Sequence, residues 1–198
     1  APRTMGERMK PVGIVGTVFG GLIVIQPDLG TTISLFLMVA GILLVSGIPL
    51  RLFALASSLA IGLGLAAIWM EPYRRERVLS FLDPWQDAEG SGFQTVQAII
   101  GIGSGGITGE GLGQGIQKIN FLPEAHTDMI FAIIGEELGL IGSTLVIAAF
   151  ATFAWAGFRI ALECRDPFGK RLAAGITTLV AGQAAINLAA VLGIAPLT

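Results

Sequence analysis

Between Phe121 and Gly139 the sequence gathers carboxylates and its single histidine: Glu124, His126, Asp128, Glu136 and Glu137. The run Phe121-Leu-Pro-Glu124-Ala-His126-Thr127-Asp128 is polar, and Met129-Ile-Phe-Ala-Ile-Ile-Gly135 that follows it is apolar. Asp128 therefore stands where a loop meets a helix. By position alone that is the place of a helix N-cap, whose side-chain oxygen accepts from the first free amides. His126 taken alone reads as a hydrogen-bonded structural residue. Glu136 and Glu137 demand more. They fall about two turns into an apolar segment, where ionisable groups are costly, so they must face water, a partner or a cation.

Upstream lie further candidates. Glu71-Pro72-Tyr73-Arg74-Arg75-Glu76-Arg77 is a charge cluster that reads either as an interfacial anchor or as a clamp for an anionic lipid headgroup, since arginine suits bidentate phosphate binding. Phe93 to Ile107 is too short and glycine-rich to span a membrane, and its Gln94 and Gln97 share one helical face. A glycine series follows, at 101, 103, 105, 106, 109, 111, 113 and 115. Its first part formally fits the dinucleotide pattern G-x-G-x-x-G, but no βαβ unit surrounds it. Glycines here allow tight turns and close approach of backbone to a substrate or a neighbouring helix.

These residues need elements to hold them, and composition says which. Of 198 residues 53% are hydrophobic and 13% charged, with a mean hydropathy of +0.77. A soluble domain carries roughly a quarter charged residues, so the solvent is a bilayer. No basic run is present, which argues against nucleic acid as a partner. The single cysteine, Cys164, excludes an internal disulfide framework. Five apolar stretches are candidate membrane helices: residues 12–25, 31–48, 52–70, 138–158 (extended upstream to 129) and 172–192. Short turns at 26–30 and 47–51 join the first three. The fold class is thus all-α, a polytopic transmembrane helix bundle. Three helices occupy 12–70, a large extracytoplasmic loop occupies 71–128, and two helices occupy 129–198.

Charge sets the orientation. With the N-terminus in the cytoplasm, that side holds Arg3, Arg8, Lys10, Arg51, Arg159, Arg165, Lys170 and Arg171, most of the 12 basic residues, but only Glu7, Glu163 and Asp166 of the 14 acidic ones. Residues 71–128 then face outward. Trp69, Tyr73 and Trp155 fall near the expected interfaces. Both chain ends read as cuts within a longer protein.

Taken together the motifs form a recognisable series. It runs Gln26-Pro-Asp-Leu-Gly-Thr31, Arg77-Val-Leu-Ser-Phe81-Leu-Asp83-Pro84-Trp85, Gly92-Phe93-Gln94, Gly103-Ser-Gly-Gly106, Gly111-Leu-Gly113, Gln117-Lys118, Leu122-Pro-Glu-Ala-His-Thr-Asp128 and Gly135-Glu-Glu-Leu-Gly139. In order and spacing it resembles the SEDS family of peptidoglycan glycan-strand polymerases (FtsW, RodA, SpoVE), from about Lys10 onward. The Asp-Pro-Trp and Gln-Lys variants look more like its division branch than its elongation branch. Met129 stands where phenylalanine is usual, and Ala98 and Gly115 where serine is common.

The resemblance implies a bacterial cytoplasmic membrane enzyme of about ten helices, of which this chain covers about the fifth to the ninth. It implies lipid II as substrate and Asp128 as the essential residue, acting as general base on the acceptor hydroxyl. Lys118 and Arg77 would offset charge on the undecaprenyl diphosphate leaving group. Glu124 and His126 would tune Asp128 or help hold a divalent cation, Mg2+ or Mn2+, with Asp128 and Glu124 as its ligands. Gln94 and Gln97 would contact sugar. Partners would be a class B penicillin-binding protein transpeptidase and other division membrane proteins. The rival readings are a lipid II flippase and a non-catalytic scaffold for the transpeptidase. Small residues along 175–193 would allow the close helix contacts that a partner helix needs.

Overall fold

A computed structural model describes residues 29–90, 92–120 and 127–195. The expected first span, 12–25, lies outside the described residues, as do Glu124 and His126. Among the described residues there is no strand. Seven helices occur there: α1 (Leu29–Val45), α2 (Leu50–Met70), α3 (Pro72–Leu82), α4 (Phe93–Ser104), α5 (Gln117–Asn120), α6 (Ile130–Glu163) and α7 (Pro167–Val191).

Helices α2, α6 and α7, of 21, 34 and 25 residues, are long and apolar enough to cross a membrane, and α1 is a shorter apolar helix. At 1.5 Å per residue α2 reaches about 32 Å, the thickness of a hydrocarbon core. Its outward residues Leu55, Leu59, Ile61 and Leu65 are all more than half exposed, as are Leu145, Trp155 and Leu162 of α6. In water such faces would aggregate; in lipid they are solvated.

Local chemistry sets the ends of the helices. The turn after α1 is a Schellman stop: Gly47 adopts φ 74°, and the Ile48 amide returns to the Leu43 carbonyl. Pro49 then precedes α2, which already contains Arg51, a residue expected in the turn. Likewise Leu29 and Gly30, expected in a turn, belong to α1. The last helix starts five residues before the expected Leu172. Asp166 caps it by accepting from the Gly169 amide at 2.6 Å, and Pro167 takes the first position. Hydropathy alone missed this polar first turn. Gly193 (φ 67°) ends α7 in a second Schellman stop, with the Ile194 amide on the Ala189 carbonyl.

Among its described residues the segment 71–128, expected as a loop, contains three helices, one of them within the stretch 93–107, which is too short to span a membrane. Its first helix, α3, follows α2 across the single extended residue Glu71, with Pro72 at its first position. Its second, α4, lays the face carrying Thr95, Val96, Ala98 and Gly101 inward.

The helices α1, α6 and α7 form the packed body. The α1–α7 seam is close because small residues line it: a Cβ on Gly41 would collide with Thr178, and one on Gly175 would touch Ile42 at 2.9 Å. Gly157 of α6 likewise admits Thr177 of α7. Ser34, near the start of α1, bonds Gln183 late in α7, and Arg171 at the start of α7 bonds Ser46 just past α1. The two helices are therefore antiparallel. Arg51, Arg159, Arg165, Lys170 and Arg171 consequently gather at one end of the bundle, where Arg159 also lies over the Trp155 ring and pairs with Glu163. The start of α6 and the end of α7 meet at the other end. A core of Ala98, Met129, Phe131, Ala132, Ile133 and Val191 fills that end, joined by Ile102, Val146 and Leu188.

Candidate functional site

The start of α6 follows Asp128 and carries Glu136 and Glu137. Its cap position is Met129 rather than Asp128, so the N-cap reading of Asp128 is one residue early. Met129 is 1% exposed, locked in the core, while Asp128 immediately before it is exposed. The Asp128 backbone carbonyl accepts from Asn187 Nδ2 of α7 at 2.8 Å. An acidic residue is thus exposed beside a peptide whose carbonyl is bonded to α7 and whose next side chain is buried.

Eight and nine residues further, Glu136 and Glu137 are buried, and their partners are chain atoms. Glu136 Oε1 accepts from the Ile116 amide at 2.8 Å, and its carboxylate also faces the Gln117 amide at 3.3 Å. Glu137 Oε2 accepts from the Gly113 amide at 3.0 Å, and Oε1 pairs with Lys118 Nζ at 2.5 Å. Of the three alternatives expected for these carboxylates, water, a partner or a cation, they meet a partner, the glycine-rich strap 105–118.

The strap is bound to a break in α6. Gly139 has φ 64° and ψ −159°, which no α-helix contains. The break frees carbonyls below it and amides above it, and in lipid each must find a partner. The strap supplies them. The Glu136 and Glu137 carbonyls accept from the Glu110 and Gly111 amides at 3.0 Å each. The Leu140 and Ile141 amides donate to the Gly106 and Ile107 carbonyls at 2.9 and 3.2 Å. Side chains would prevent this approach. A Cβ on Gly105 would collide with the Gly135 carbonyl, and one on Gly109 (φ 79°) with that of Glu137. The glycine series thus serves close approach to a neighbouring helix.

Of the other expected residues, Gln94 and Gln97 stand on α4, both half-buried. Lys118 is engaged with Glu137, its side chain one-third exposed. Arg77 lies on α3, with its side chain outside the described part. Among the described residues no three of His, Cys, Asp and Glu cluster as a metal would require. Asp128 is the sole proposed cation ligand among the described residues. Sequence reasoning missed Asn187; an amide within a membrane span was the available signal.

These features define a polytopic, all-helical membrane protein whose acidic centre sits beside a strapped helix break. A family model described as cell cycle protein (FtsW/RodA/SpoVE) matches residues 2–198. The chain belongs to that family. It is 43% identical over 191 residues to a probable peptidoglycan glycosyltransferase FtsW of Marinobacter nauticus, covering 95% of this chain and 48% of that protein. It is 45% identical over 196 residues to the protein of the same name in Mycobacterium tuberculosis, covering 98% and 37%. Stage V sporulation protein E of Bacillus subtilis is 43% identical over 195 residues, covering 94% and 52%. The chain therefore spans about half the length, or less, of these relatives. A chain from a solved peptidoglycan synthase complex, described in terms of polymerization and crosslinking, aligns with a TM-score of 0.71 at 26% identity, covering 94% of this chain and 52% of that one.

Proposed function

We propose that this chain forms the catalytic part of a peptidoglycan glycan-strand polymerase, with Asp128 as general base. The observation that carries the reading is the placement of Asp128: an exposed residue whose carbonyl is bonded to α7 and whose neighbour Met129 is buried, at the bundle end away from the basic cluster. The names of the relatives supply the reaction class. The growing strand is transferred from undecaprenyl diphosphate to the acceptor hydroxyl of lipid II. Asp128 takes the hydroxyl proton as oxygen attacks the anomeric carbon, and the diphosphate leaves. Inversion at that carbon needs one base and no covalent intermediate. A positioned base contributes ~10²–10⁴ in rate. Lys118 and Arg77 are the candidates to offset charge on the diphosphate, and Gln94 and Gln97 to contact sugar. Glu124 and His126, with Asp128, are the candidates to hold a divalent cation, whose charge would offset that of the same leaving group.

In this reading the segment 71–128 faces outward from the bacterial cytoplasmic membrane. The enzyme acts in division beside a class B penicillin-binding protein transpeptidase. The test reconstitutes the full-length protein with that partner, lipid II and a divalent cation, and compares wild type with Asp128→Asn. Polymer from the wild type alone, with both proteins equally folded, supports the reading. Equal polymer from both removes Asp128 as base. Lipid II crossing vesicles with no polymer from either favours a flippase.

A further inference from the structure

We propose that Asn187 is a positioning residue for the Asp128 carboxylate, acting through the Asp128 backbone carbonyl; this rests on the reading of Asp128 as the base. Inside a helix the Asp128 carbonyl would accept the Ala132 amide. That amide instead turns to the Met129 carbonyl at 3.0 Å, because α6 begins one residue later. The Asp128 carbonyl is thereby available to a neighbouring helix, and Asn187 Nδ2 takes it at 2.8 Å. On the other side of the same residue the Met129 side chain is buried with Val191 and Leu188 of α7. The direction of the carboxylate follows from that peptide's orientation, which α7 therefore sets.

A second observation extends the device. Gln183 precedes Asn187 by four residues, so the two share one face of α7, and Gln183 bonds Ser34 of α1. Two amides on a membrane helix thus tie the start of α1 and the residue before α6 to one face of α7. Packing alone does not call for this: apolar side chains would fill the same seam without polar groups to satisfy. A donor at 187 is what the Asp128 carbonyl requires.

A base must reach its proton within hydrogen-bond distance, and a displacement of 1 Å can cost ~10²-fold. Loss of the Asn187 donor should therefore lower kcat by about 10- to 100-fold while leaving KM for lipid II within about 3-fold. The deciding variant is Asn187→Asp, which keeps the shape and, when ionised, has no donor. Asn187→Leu should behave like it, and Asn187→Gln, which restores an amide, should recover part of kcat. All are measured in the full-length protein with its partner, over a range of lipid II concentrations, with melting temperature recorded beside each. Wild-type kcat in Asn187→Asp overturns the proposal. So does a loss that tracks melting temperature alone, with no recovery in Asn187→Gln. Asp128→Asn is run in parallel. If it is inactive while Asn187→Asp is normal, the positioning role fails alone; if Asp128→Asn is active, the base reading fails and the positioning role with it.

Discussion

Glu136 and Glu137 are buried in an apolar helix, and both are committed to the strap that crosses it. Their place in an apolar segment called for water, a partner or a cation, and the partner is the strap, whereas Asp128 is exposed. The difference is desolvation: a buried carboxylate is stable where amides and a lysine surround it, and such a group is already spent. Two predictions belong here. Asp128→Asn changes an exposed group and should shift stability by less than about 0.5 kcal/mol, measured by thermal melting in detergent, while abolishing polymer. Lys118→Met removes the cationic partner of the buried Glu137 carboxylate, leaving it backbone amides such as that of Gly113, and should cost about 1–3 kcal/mol. Adding Glu137→Gln should give back part of that loss, so the double variant is less destabilised than the sum of the singles. Strict additivity would mean that the pair contributes nothing.

At the scale of elements, the broken helix and its strap are one unit, since each supplies the other's missing backbone partners. Gly139→Ala should be severely destabilising. The residue sits at φ 64°, and a Cβ there would meet the Ile107 carbonyl at 2.6 Å. A substitution at such a backbone costs more than the ~1 kcal/mol of a simple propensity change. Gly103 is the control. It lies within α4 with nothing within 4 Å of its would-be Cβ, so Gly103→Ala should be neutral or stabilising by up to about 1 kcal/mol. Melting temperatures of the two purified variants decide the matter, and equal effects would refute the strap as a structural joint.

Across the whole molecule, antiparallel packing of α1, α6 and α7 separates a basic end from the end that holds Asp128. The positive-inside rule turns that polarity into an orientation. In a Cys164→Ser background, a membrane-impermeant maleimide should label Thr108→Cys in intact cells. Arg165→Cys should label only after permeabilisation. Both positions are exposed, so accessibility across the membrane is what the labelling reads. The reverse pattern would invert the topology and place Asp128 on the wrong side for an external substrate.

The sequence by itself determined the bilayer as solvent, four of the apolar helices to within about five residues, the polarity of the bundle and the family. Those properties follow from local composition, turn chemistry and ordered motifs, which are legible one segment at a time. Helix boundaries slipped where a cap rather than hydropathy set them, as at Asp166-Pro167. Three things were decided by the tertiary structure alone. Asp128 stays exposed while Glu136 and Glu137 are buried, Gly139 breaks α6 because the strap completes it, and Asn187 reaches across to the Asp128 carbonyl. Each depends on which backbone groups lack a local partner and which distant segment supplies one, and that accounting closes only when the chain is folded.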